Sequence, residues 1–154
     1  MKFIEYLQSP VGLLEIQASE KGINSINFVE SETKESHKNT HTSNCIKQLN
    51  EYFDSTRKVF DLPFDTIGTQ FQKSVWKALS NIPFGKSASY QDIANDINNP
   101  KAVRAVGLAN GKNPISIIIP CHRVIGKNGS LTGYGGGLNR KRWLLSHENI
   151  EYKE

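Results

Sequence analysis

The chain has 154 residues, 37% of them hydrophobic and 22% charged, about the length of one ordinary domain and long enough to bury a core without disulfides or a structural metal. Its longest apolar run, Ile117 to Ile119, falls far short of the roughly 20 residues that cross a bilayer, which excludes a helical membrane protein. Residues 1–62 hold seven Lys/Arg against nine Asp/Glu and residues 63–154 hold twelve against six, within a net charge of +4, so the second half is the candidate for a polyanionic partner, with solubility as the ordinary alternative.

Glu5 interrupts the N-terminal stretch where a signal peptide needs an unbroken apolar run, so a cytoplasmic location is expected, nuclear in a eukaryote. Phe3, Tyr6, Leu13, Leu14, Ile16, Ile23, Ile26 and Phe28 fall in three short runs separated by Ser9-Pro10 and Lys21-Gly22, which predicts a small antiparallel meander. Residues 30–44 are nearly devoid of apolar side chains and read as a long exposed loop. Ser43 is then placed to cap a helix carrying Ile46, Leu49 and Phe53, and a last short strand is expected at 58–62. His37, His41 and Cys45 share a four-residue spacing that would stack them on one face if the helix reached back that far. The polar, turn-prone sequence between them favours a packed or idle thiol over a zinc triad, and no metal is expected.

From Thr69 the pattern turns helical. Thr69 and Gln72 form a capping box ahead of Phe71, Val75, Trp76, Leu79 and Ile82, and Pro83-Phe84-Gly85 ends that helix. Ser89 starts a second helix with Tyr90, Ile93, Ala94 and Ile97. Asn99-Pro100 reads as the cap and first residue of a third, extending to about Asn110. Two short helices joined so tightly fit either a helix-turn-helix or an ordinary helical hairpin. In the third helix Ala102, Ala105, Gly107 and Ala109 are small and Arg104 is the one long side chain in the middle. Such a thin flank suits close approach to another surface, whether a groove or a neighbouring helix.

Cys121 follows Pro120 at the end of an apolar run, so the backbone before it is expected to be extended. Alone it reads as a packed structural cysteine, but the polar pair His122-Arg123 directly after three isoleucines demands buried partners. An extended chain would send the Cys121 and His122 side chains to opposite sides, leaving a water or a local turn to connect them. Of the acids in the last third, Glu148 is best placed to orient the imidazole. The remainder offers an Asn-Gly turn at 127–130, a glycine-rich loop at 133–137 and a closing helix through Arg140 and Trp143 to Glu148.

The segments GTQFQKSVW (68–76), SYQDIA (89–94), VRAVGLAN (103–110), NPISIIIPCHRVIG (113–126) and GYGGGLNRKRWLLSHE (133–148) together resemble the O6-alkylguanine-DNA alkyltransferases. The resemblance implies an α+β protein: a small β-rich N-terminal domain with one helix (1–62), then a helical C-terminal domain (63–154) with a winged-helix-like helix-turn-helix and the active-site cysteine. It implies direct-reversal DNA repair, in which the chain binds the minor groove of duplex DNA as a monomer. The protein then flips an O6-alkylguanine out of the stack and transfers the alkyl group irreversibly to Cys121, O4-alkylthymine being a further candidate substrate. Carried over by position, Cys121 is the acceptor, His122 activates it through a water, Glu148 orients His122, Asn113 braces the active-site turns, and Tyr90 hydrogen-bonds the extruded base. Arg104 fills the vacated place in the duplex. Ala102, Ala105 and Gly107 line the groove-facing helix, and Tyr134, Gly135 and Gly136 belong to the substrate loop. No cofactor is implied. Gly135 departs from the serine that many relatives carry there. The alternative is a non-catalytic sensor of alkylated DNA, which in the related sensor proteins has tryptophan in place of the cysteine.

Overall fold

Alternation of apolar residues produces the expected meander. In the computed structural model, which describes residues 2–154, strands β1 (Phe3–Ser9), β2 (Gly12–Ala18) and β3 (Ile23–Val29) pair antiparallel in the order β1-β2-β3. The tight turn at Pro10-Val11 sets Ser9 opposite Gly12, and Gly12 takes φ 108°, a conformation that strains any residue with a Cβ. Leu14, Ile16 and Ala18 of β2 are fully buried. On the alternate positions Glu15 is satisfied by the Tyr6 hydroxyl (2.9 Å) and Gln17 (2.7 Å).

Helix α1 (Thr40–Phe53) packs on this sheet through Cys45, Leu49 and Tyr52. It begins earlier than the sequence suggested. Asn39, not Ser43, is the N-cap: its side chain accepts from Thr42 N–H, and the Thr42 hydroxyl accepts from Asn39 N–H, both at 3.0 Å. This closes a reciprocal cap with Asn and Thr in place of the usual residue pair. Ser43 sits inside the first turn and bonds Glu5. The expected strand at 58–62 does not form. Phe64 instead makes the bridge, to Ile23. Ile23 N–H donates to Pro63 O and Asp65 N–H to Ile23 O, an approach so close that a Cβ on Gly22 would lie 2.5 Å from Pro63 O.

The chain divides into two compact units, Met1–Ile67 with Pro114–Ser116, and Gly68–Asn113 with Ile117–Glu154. Residues 63–67, assigned by sequence to the second half, run with β3, and Pro114–Ser116 joins the first unit through Ile26, whose N–H donates to Pro114 O. The second unit is helical: α2 (Gln70–Ser80), α3 (Tyr90–Asp96), α4 (Val103–Gly111) and α5 (Leu138–His147). Thr69 and Ser89 cap α2 and α3 with complete capping boxes to Gln72 and Asp92. The buried Trp76 of α2 donates its indole N–H to Ala109 O of α4, so α2 supports the α3–α4 pair. Asn99-Pro100 does not start α4. Asn98 takes φ 59°, Asn99 N–H donates to Ala94 O, and α4 begins after Ala102 with no side-chain cap, because the asparagines are used to close α3. No helix among the described residues is long and apolar enough to cross a membrane.

Candidate active site

The segment before Cys121 is folded, not extended. Ile117 has φ 74°, a left-handed conformation that is strained for a β-branched side chain. Pro120 (φ −82°, ψ 62°) then makes an inverse γ-turn closed by Cys121 N–H to Ile119 O at 2.8 Å. Cys121–Arg123 form one turn of 3₁₀ helix. The expected alternation of Cys121 and His122 across a strand is therefore replaced by a local turn, which proline-imposed φ and the strain at Ile117 set up. Asn113 braces both ends of this turn: its Nδ2 donates to Ile119 O at 2.8 Å, and its side chain also hydrogen-bonds the Cys121 sulfur.

Ala88, just before α3, fixes the far side of the turn, donating its N–H to Arg123 O and accepting from Ile125 N–H. His122 is fully buried, with Nε2 2.7 Å from Glu148 Oε2. Glu148 stands at the C-cap of α5, 1% exposed, and Arg123 grips it twice, Nε to Oε1 at 2.7 Å and Nη2 to Oε2 at 3.2 Å. Gly85 N–H also donates to Oε1. Arg123 is itself held by Ile82 O at 2.6 Å and lies over the Phe84 ring.

These contacts fix the protonation of the pair. Burial pushes the Glu148 carboxyl up, but the hydrogen bonds and charges of His122 and Arg123 outweigh it and hold it down at about 2. An ionised carboxylate only accepts, so His122 Nε2 carries the proton and donates it. Burial lowers the His122 pKa despite Glu148, leaving a neutral ring at pH 7. Its Nδ1 is then a lone-pair acceptor, and no described protein atom hydrogen-bonds to it. Burial pushes the Cys121 thiol up, while the Asn113 hydrogen bond, the Lys141 charge and the backbone N–H groups of Cys121 and His122 pull it down. The site therefore keeps a protonated resting thiol next to donors that favour the thiolate once the proton is taken.

Lys141 is the side chain that sequence reasoning missed, and Arg123, read there only as needing buried partners, finds them in Glu148 and Ile82 O. Lys141 is completely buried and donates to Val124 O (2.7 Å), Thr132 O (3.2 Å) and Thr132 Oγ1 (3.0 Å). Burial pushes its pKa down to about 8. Its spacing gives it away: residues 141, 144, 145 and 148 mark the inward stripe of α5 and its C-cap, with lysine beside leucines. Tyr90, the first residue of α3, reaches the same cluster, its hydroxyl 3.1 Å from Thr132 Oγ1. Cys121, His122, Glu148 and Asn113 thus come together directly, and Tyr90 joins through Thr132.

The remaining candidates lie on and beside α4 and in the glycine loop, where Tyr134 is half-buried. On α4, Arg104 and Ala105 are exposed and Ala102 and Gly107 half-buried. A Cβ on Gly107 would meet the Tyr90 ring at an ordinary 3.9 Å, so the fold itself does not require glycine there. Leu108, one turn beyond Arg104, is 69% exposed and was not singled out by sequence. In the glycine loop Gly137 N–H donates to Tyr134 O, and Gly137, at φ 92°, starts α5. Gly135 is exposed with open space around it, so a serine would fit. His37 lies outside α1, stacked on Phe3, and His41 Nε2 contacts Glu20 O. The four-residue series therefore does not assemble with Cys45. Among the described residues no group of three or more His, Cys, Asp or Glu is placed to hold a metal.

Comparison with known proteins adds an independent line. Residues 70–150 match the 6-O-methylguanine DNA methyltransferase DNA-binding domain, and residues 2–66 match the ribonuclease-like domain of the same family. A methylated-DNA–protein-cysteine methyltransferase from Methanosarcina acetivorans is 46% identical, covering 92% of this chain and 94% of the relative. The crystal structure of Mycobacterium tuberculosis O6-methylguanine methyltransferase superposes with a TM-score of 0.86 at 45% identity, over 96% of this chain and 93% of that one. A structure of Mycobacterium tuberculosis OGT in complex with DNA gives 0.86 at 48% identity, over 95% and 92%.

Proposed function

The chain belongs to the 6-O-methylguanine DNA methyltransferase family, and from that premise we propose that it repairs duplex DNA by taking the alkyl group of O6-alkylguanine onto Cys121, once per molecule. The observation that carries this reading is the buried thiol flanked by Asn113, Lys141 and a neutral His122 whose tautomer Glu148 fixes. His122 Nδ1 takes the thiol proton through a water molecule. The resulting thiolate attacks the alkyl carbon, the S–C bond forms as the O6–C bond breaks, and the electron pair returns to the purine. A purine anion is a poor leaving group in an apolar site, so a donor at a ring nitrogen lowers the barrier. Tyr90, at the head of α3, supplies that donor.

Neither the thiol nor Tyr90 can reach a base stacked in a duplex, so the nucleotide must be extruded at a cost of a few kcal/mol. Arg104, exposed on α4, offsets part of that cost by occupying the gap, and the small residues Ala102, Ala105 and Gly107 let the helix backbone enter a minor groove about 6 Å wide. Tyr134, Gly135 and Gly136 border the base pocket, where the open space at Gly135 bears on bulkier adducts. A monomer suffices, since every group invoked lies in one unit. The sensor reading is disfavoured by the acceptor thiol itself.

Intact-mass measurement after incubation with an O6-methylguanine duplex tests the proposal. One added methyl per chain, with no further turnover, is expected. DNA binding with unchanged mass would support a sensor instead.

A further inference from the structure

Asn110, in the last turn of α4, carries a polar atom that the reaction as described does not use. The residue is 7% exposed, and its Oδ1 has no hydrogen-bond partner among the described residues. A buried carbonyl oxygen left unpaired destabilises a fold, and most such groups in native proteins are satisfied. Packing does not ask for it, since Val106 and Ala109, the other buried side chains of α4, are apolar.

Placement gives the oxygen a role. Asn110 lies about one turn along α4 from Gly107, where a Cβ would stand 3.9 Å from the Tyr90 ring. It also precedes Asn113 by three residues. Asn113 N–H donates to Asn110 O at 3.3 Å, and the Asn113 side chain holds Ile119 O and the Cys121 sulfur. The helix therefore carries Asn110 between the tyrosine that meets the base and the brace that fixes the acceptor sulfur, where a base reaching both must lie.

We propose that Asn110 Oδ1 accepts a hydrogen bond from the exocyclic amine of the extruded guanine and so selects that base. This rests on the reading above, in which Tyr90 hydrogen-bonds a ring nitrogen and Cys121 takes the alkyl group. Alkylation at O6 removes the N1 proton, so the amine on C2 is the hydrogen-bond donor that remains on the base. C2 stands between the two nitrogens of the six-membered ring. Whichever of them the tyrosine meets, the amine comes to the flank of its hydroxyl. The unpaired acceptor of the protein then meets the donor of the base, and a base without that amine leaves Oδ1 buried and unsatisfied.

The test compares single-turnover methyl transfer from two duplexes, one carrying O6-methylguanine and the other O6-methylhypoxanthine, which lacks the C2 amine. Any difference in extrusion between them is shared by wild type and variant, and the ratio of the two rates on one protein is independent of the fraction that folds. Wild type should favour O6-methylguanine. Asn110→Leu keeps the branching and removes the acceptor. It should shrink that preference at least about fivefold, the lower end of the cost of an unpaired buried acceptor, by slowing transfer from O6-methylguanine more than from O6-methylhypoxanthine. Asn110→Ala, which opens the space instead of filling it, should shrink the preference as well, so the comparison survives if one variant fails to fold. A preference that both substitutions leave unchanged, or a wild type that does not distinguish the duplexes, would overturn the contact. Wild-type protein that takes up no methyl from O6-methylguanine would overturn the parent reading and the contact with it, a result seen before any substitution is made.

Discussion

The two cysteines make the most instructive contrast in the molecule. Cys45 on α1 and Cys121 on the 3₁₀ turn are both buried and both free of disulfides. Burial pushes both thiols up, yet the surroundings diverge. Near Cys45 the charge that acts is Glu5, which adds to burial and drives the thiol to about 12. Near Cys121 the acting groups are an amide donor, a buried ammonium and two backbone N–H groups, all favouring the thiolate. Reactivity is therefore a property of what surrounds the sulfur, and depth alone does not confer it.

The contrast breaks most completely if Cys121 can be removed without consequence. Cys121→Ala is expected to abolish methyl uptake from damaged DNA, while Cys45→Ala leaves uptake intact, both read by mass.

Next in size is the orientation of His122. Glu148→Gln removes the ionised acceptor that fixes the tautomer and strands Arg123, so single-turnover transfer should fall by about 10²–10⁴-fold with DNA affinity little changed. The same carboxyl sets acid stability. Its folded pKa, about 2 against an ordinary 4.5, lies below the unfolded value, so its contribution is present above pH 4.5 and is lost as the pH falls toward 2. That contribution amounts to about 3 kcal/mol. Urea unfolding of wild type and Glu148→Gln at pH 5 and pH 2.5 checks the sign: the gap between them should narrow at the lower pH.

A smaller effect is expected on α4, where the surface serves extrusion and not the sulfur. Arg104→Ala should slow transfer from an intact duplex by about tenfold, the range of a contact worth 1–2 kcal/mol, and should bind an abasic duplex as wild type does. Equal losses on both would assign Arg104 to general attachment. The smallest effect is the stability cost of Cys45→Ala, about 1 kcal/mol of lost packing at a fully buried position, seen as a lower urea midpoint with transfer per folded molecule unchanged.

Much of this was legible in the sequence wherever local chemistry decides the structure. Alternation gave the meander, and the Thr69 and Ser89 boxes marked the starts of α2 and α3 to the residue. Where a contact from elsewhere decides, local reading failed. The alternation at 58–62 lacks the partner that Ile23 gives Phe64. The Asn39–Thr42 cap uses a residue pair outside the usual pattern, and Asn99 was read as opening one helix when it closes another. The cysteine turn was hidden because one proline permits either an extended chain or a γ-turn, and the choice depends on Asn113 bonding across six residues. Lys141 was passed over because charge suggests a surface, although its spacing placed it inward. Glu148 is legible as the best placed of the acids in the last third, but the donors that hold it, from His122, Arg123 and Gly85, come from the fold.

The central claim is that the surroundings of Cys121, and not those of Cys45, make a methyl acceptor. A duplex carrying an isotopically labelled O6-methyl group, followed by peptide mapping of the protein, tests it directly. The account expects the label on the peptide bearing Cys121 and none on the peptide bearing Cys45. Label on Cys45, or DNA bound with neither peptide labelled, would contradict it.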